Sequence, residues 1–171
     1  MKLLLICFWA GWMLPLAAQI RLPSSIQFLP DIPKARETAI REERLMVFIQ
    51  VNRNTTASHI SDAFDQYFRA FRSYGPMILV PPGTAASQLP ATVNQGFSSV
   101  TGQVRVVVID PANNDALVVA VPYLRVTERE RELRSYRNQI GRYRREQRAA
   151  RRRQPPQVPP HLLPPEEGAP Q

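Results

Sequence analysis

Two kinds of apolar pattern divide this chain. Leu45–Val51 is a mostly apolar run of strand length, which suits a strand covered on both faces. Beyond a polar turn, Ile60, Phe64, Tyr67, Phe71 and Tyr74 recur at helical spacing, with Ala63 and Phe68 beside them. Ser58 is the expected N-cap of that helix, and Asp62 favours its dipole. Gly75-Pro76 predicts its end, glycine taking a left-handed cap and proline being unable to continue. Met77–Val80 is a second apolar run, so the segment predicts a β-α-β unit with parallel strands. Pro81–Pro90 reads as a loop and Ala91–Phe97 as a short helix. Val104–Ile109 and Ala116–Val121 are β-branched runs around the turn-forming Asp110–Asp115, which predicts a hairpin.

The rest of the chain reads differently. Thr127-Glu128-Arg129-Glu130 fits a capping box, and a helix is expected from there to about Arg153. Leu133, Tyr136, Ile140 and Tyr143 follow 3-4-3 spacing, the narrow stripe of a helix docked along one seam. Gly141 interrupts it at a cost of about 1 kcal/mol relative to alanine. The prolines from Pro155 to Pro170 predict a disordered tail over 154–171. At the other end, Met1-Lys2, the apolar run Leu3–Leu16 and the small Ala17-Ala18 have the layout of a secretory signal peptide over 1–18. Residues 19–43, with Pro23, Pro30 and Pro33, read as a linker with a candidate short helix at Lys34–Arg44. The expected organisation is thus an α/β domain over 44–124, a basic helix over 125–153 and the tail.

The order β-α-β, hairpin, helix resembles the thioredoxin-like core. That resemblance implies the family's sheet but not its redox chemistry. The only cysteine is Cys7, inside the expected signal, and the turn Asn54–Ser58 has no thiol where redox members carry a cysteine pair. The family's cis-proline is also missing, since Thr101-Gly102-Gln103 precedes Val104. Over about ten residues, Ile49–Ser58 resembles the opening strand and Asn-Thr-Thr turn of aspartate/hydantoin-type racemases, with Arg53 where that pattern usually has proline. Those enzymes move a proton between two cysteines, so the resemblance does not carry their activity here.

Charge changes the picture most. The chain has 22 Lys and Arg against 14 Asp and Glu, and Arg125–Arg153 alone holds twelve arginines against four glutamates. Arg142, Arg144, Arg145, Arg148, Arg151, Arg152 and Arg153 crowd around Tyr143. Guanidinium forks grip phosphate, sulfate and carboxylate. These seven are the candidate polyanion-binding residues, and the binding should be electrostatic, without specific nucleic-acid readout. The first half of the helix alternates in sign, with Glu130 expected to pair with Arg134. His59 and His161 lack partners for a metal site or a catalytic triad. Asp110 and Asp115 are turn formers rather than a catalytic pair, and no phosphate-binding glycine loop is present. Asn54-Thr55-Thr56 fits an N-glycosylation acceptor if the producing cell is eukaryotic. Arg142-Tyr143-Arg144-Arg145 resembles a convertase site placed mid-helix, and Arg153–Pro159 an SH3-ligand pattern in an exported chain.

These observations favour a non-enzymatic exported protein without a cofactor, secreted or held in the periplasm or cell envelope. Its partner would be an anionic polymer, an anionic membrane surface or an acidic protein. The alternatives are a structural protein that oligomerises through the Leu133/Tyr136/Ile140/Tyr143 seam, and an enzyme of unrecognised type.

Overall fold

The computed structural model describes residues 25–52 and 57–153, the side chains of 57–61 excepted. The expected signal peptide, Asn54 and the proline-rich tail lie outside the described residues. The rest is an α/β fold with one mixed sheet and four α-helices: β1 (Ile26–Phe28), α1 (Ile32–Arg41), β2 (Met46–Val51), α2 (Ala57–Phe71), β3 (Met77–Val80), α3 (Ala91–Ser99), β4 (Val104–Asp110), β5 (Ala116–Val121) and α4 (Arg129–Arg153). The five strands lie in the order β1-β3-β2-β4-β5. Both β1 and β2 run parallel to β3, in register at Ile26↔Met77 and Val47↔Met77. β4 runs antiparallel to β2, and β5 antiparallel to β4 with a bulge at Val108/Ile109.

The unbroken apolar runs are explained by helices on both faces of the sheet. On one face, Val47, Ile49, Met77, Val104, Val106, Val108, Val119 and Val121 pack against Phe64, Tyr67 and Phe71 of α2 and Leu133 and Ile140 of α4. On the other, Met46, Phe48, Ile78, Val80, Val107 and Ile109 pack against Ala35 and Ala39 of α1 and Val93 and Phe97 of α3. The central strands are therefore buried on both sides, and their alternate residues serve two different cores.

Residues 25–43 depart from the expected linker. Three residues form the edge strand β1, and α1 starts at Ile32 instead of Lys34. Pro33 stands in the first turn of α1, where proline's missing N–H costs nothing. A strand this short leaves no periodic trace in sequence. α2 begins at Ala57, which puts Ser58 inside the helix and not at its cap. It ends at Phe71, and a turn carries the chain to Gly75.

Gly75 does not take the left-handed cap conformation; among the described glycines, positive φ occurs at Gly83 and Gly102. It is glycine because the backbone of Leu45 lies against it: a Cβ there would sit 1.5 Å from the Leu45 carbonyl oxygen. That approach is part of the parallel entry into the sheet, where Leu45 N–H donates to Tyr74 O (3.1 Å) and Val47 N–H to Pro76 O (3.0 Å).

Candidate polyanion-binding helix

α4 is tied to the domain at three levels, which decides which of its sides faces out. At its start, Arg129 is buried, and its Nε and Nη2 donate to the Leu124 carbonyl (3.3 and 3.1 Å). Beside it the Tyr67 hydroxyl donates to Pro122 O (2.8 Å) and accepts from Leu124 N–H (3.2 Å). Burial pushes the Tyr67 phenol up to about 12, opposed by its bond from Leu124 and by the Arg129 charge. In the middle, Leu133 and Ile140 are sealed against the sheet, with Tyr136 and Tyr143 packed at the margin.

At the far end, the Tyr143 hydroxyl donates to Asp110 Oδ2 (2.9 Å) and accepts from Asn113 Nδ2 (3.3 Å). Burial raises the Tyr143 phenol; the Asn113 bond opposes this and the Asp110 carboxylate adds to it. Asp110 is itself buried, and its Oδ1 accepts from Ala112 N–H (3.0 Å), the turn role expected from sequence. Asp115, in a left-handed turn residue, pairs with Arg36 (3.1 Å). The last turn is clasped by Arg151, whose Nη1 lies 2.7 Å from Glu43 Oε1. Glu43 follows α1 in the left-handed region, with φ 50°.

The stripe Leu133/Tyr136/Ile140/Tyr143 is thus covered by the chain's own sheet. The helix–helix seam read from its spacing is an internal contact, and what α4 turns outward is polar. The expected cap is displaced as well: α4 begins at Arg129, two residues beyond Thr127. The predicted Glu130–Arg134 pair is not among the ion pairs of the described residues. Arg131 reaches Glu132 instead, at 3.8 Å.

Of the seven candidate arginines, Arg142, Arg145, Arg148, Arg151, Arg152 and Arg153 are exposed and Arg144 is half-buried. Among the described residues, only Arg151 has an acidic partner, and that pair stays in contact with solvent. Among the described residues, the remaining six make no ion pair. A shallow cleft forms where Arg144, Gln147, Arg148 and Arg151 meet Glu43 and Asp110.

The structure also divides the set. At 3.6 residues per turn, and with Ile140 facing the sheet, Arg144, Arg145, Arg148 and Arg152 fall on one flank of α4. Arg134 and Arg137 continue the same line towards the start of the helix, and both are exposed. This flank faces the end of α2: burial raises the Tyr74 phenol, while the nearby guanidinium groups of Arg137 and Arg144 pull it back down. Arg142 and Arg153 stand on the far side, towards Glu146. Sequence reading left out Arg134 because it assigned Glu128–Arg134 to self-pairing, and Arg137 because it stands outside the crowd around Tyr143. A helical projection anchored on Ile140 would have placed them.

A second shallow cleft lies at the carboxyl ends of β2 and β3, lined by Gln50, Asn52, Pro82, Gly83 and Arg105. Arg105 is occupied there, donating to Gln50 Oε1 (2.5 Å) and Phe97 O (2.9 Å) and lying over the Phe97 ring. The described residues hold no group of three or more His, Cys, Asp or Glu able to bind a metal ion, and no helix long and apolar enough to cross a membrane. Comparison with family models, with curated proteins and with solved structures finds no match to this chain.

Proposed function

We propose that this protein is an exported, non-enzymatic interaction protein: a thioredoxin-like scaffold without redox cysteines whose arginine-rich C-terminal helix binds an anionic polymer or surface. The strand order β1-β3-β2-β4-β5, with three parallel strands followed by an antiparallel hairpin, supports the scaffold reading. The N-terminal apolar run and the absence of any cysteine beyond Cys7 support export without disulfides or thiol chemistry. The observation that carries the functional reading is the helix itself. It is anchored along one side and lined on the other by guanidinium groups, and among the described residues Arg151 alone of the seven crowded around Tyr143 has an acidic partner. A fixed array of unpaired cations on a nearly neutral body is a polyanion site by charge and by donor geometry.

The test is binding of the mature chain, residues 19–171, to immobilised heparin and to anionic vesicles. Replacing Arg142, Arg144, Arg145, Arg148, Arg151, Arg152 and Arg153 with glutamine should abolish binding and leave the melting transition in place. Wild-type binding should weaken steeply as salt rises. Retention by the glutamine variant, or indifference to salt, would overturn the proposal.

A further inference from the structure

We infer that the ligand is a linear anionic polysaccharide lying lengthwise along the arginine flank of α4 formed by Arg134, Arg137, Arg144, Arg145, Arg148 and Arg152. This rests on the functional reading above and narrows it to one class of partner and one side of the helix. Charge on α4 is sorted by side. The six arginines share a flank, whereas Glu132 and Glu146 stand on the opposite one, with Glu130 alone at the amino end of the arginine line. The line runs for about 27 Å at 1.5 Å per residue, its six guanidinium groups averaging one per about 5 Å of rise, with a stretch of about 10 Å between Arg137 and Arg144. That is a track for a chain with regularly repeated anionic groups and much longer than a single phosphate or carboxylate needs.

The composition of the flank selects among polyanions. Insertion into a membrane surface requires an apolar face beside the cations, but the apolar stripe of α4 is spent against the sheet. Single-stranded nucleic acid is gripped through stacking on exposed rings. Tyr136 and Tyr143, the aromatic residues of α4, sit at the margin of the core, and the Tyr143 hydroxyl is held by Asp110 and Asn113. A polysaccharide needs none of these, only cations spaced along an accessible track. Gly141 keeps the middle of that track bare: a Cβ there would meet no atom nearer than Arg145 Nη1 at 3.6 Å.

The experiment compares two charge-matched triple variants of the mature chain, binding heparin fragments of graded length. Arg137→Glu, Arg145→Glu and Arg148→Glu alter the flank; Lys34→Glu, Arg41→Glu and Arg131→Glu alter exposed positions away from it by the same net charge. The flank variant should lose on the order of a hundredfold or more in affinity, and the other less than about threefold, with equal melting temperatures. Affinity should climb with fragment length until the fragment spans about 27 Å and then level off. Equal losses in the two variants would overturn the inference and leave the broader function standing, since attraction by net charge alone would then suffice. Failure of the wild type to bind heparin at all, with tight binding to a DNA oligonucleotide or to phosphatidylserine vesicles, would overturn the choice of partner. If the flank variant does not fold, the length series decides: full affinity for a disaccharide removes the track.

Discussion

The inner and outer sides of α4 are made from one stretch of sequence and follow opposite rules. Inside, each side chain has a partner: Arg129 a carbonyl, Leu133 and Ile140 the valines of the sheet, Tyr143 a buried carboxylate. Outside, among the described residues, Arg151 alone of the seven crowded arginines meets an acidic group. A helix so charged would be marginal in isolation, because its like charges repel at i,i+4 spacing. Docking supplies the stability that lets the outer side be chosen for something other than folding. Stability and binding should therefore respond to different substitutions.

The largest expected effect breaks the inner side. Ile140→Ala removes a fully buried side chain from beneath the helix and should cost about 3 to 4 kcal/mol, read as a lower denaturant midpoint at unchanged m-value. A loss below about 1 kcal/mol would mean that the stripe does not anchor α4. The next effect comes from pH. Tyr67 holds its proton up to about 12 in the folded chain, against 10.0 for an unburied phenol. The raised value favours the protonated native state, so this contribution is complete below pH 10 and is lost as pH climbs from 10 to 12. It amounts to about 3 kcal/mol over the two units, and the Tyr67→Phe variant should lack that alkaline slope in its unfolding free energy. The smallest effect sharpens the contrast from outside. Gly141→Ala fits without displacement and should add up to about 1 kcal/mol of stability, with heparin affinity changed by less than about twofold. An alanine there that weakened binding severalfold would show that the bare backbone takes part in the contact.

Sequence pattern was a good guide where one residue type had one cause. The doubly covered strands Met46–Val51 and Val104–Asp110, the hairpin, and the aromatic face of α2 all follow from where the apolar residues fall, because burial demands them on both faces of those strands and on one face of the helix. Legibility failed where a residue type has several causes. Gly75 reads as a helix cap, yet its reason is the Leu45 carbonyl pressed against it from a distant part of the chain. Pro30 and Pro33 read as linker punctuation, yet they introduce α1 beside a three-residue strand whose partner, β3, is some fifty positions away. The arginine cluster was legible as a cluster. Its division into two sides follows only once the helix is projected on the Leu133/Ile140 stripe, a rotation that the Tyr143–Asp110 and Arg129–Leu124 contacts fix in the fold.

The placement of β5 at the rim of the sheet has a colloidal consequence. Ala116–Val121 is an uncharged strand with no neighbouring strand on its outer side among the described residues, the kind of border along which identical chains can zip together. α4 packs against that same strand. Two molecules approaching rim to rim would bring their cationic helices together, and mutual repulsion holds them apart at low ionic strength. Counter-ions that quiet the arginines also remove this guard, so solutions of the protein should be clearest when dilute in salt and should turn turbid as neutralisation proceeds.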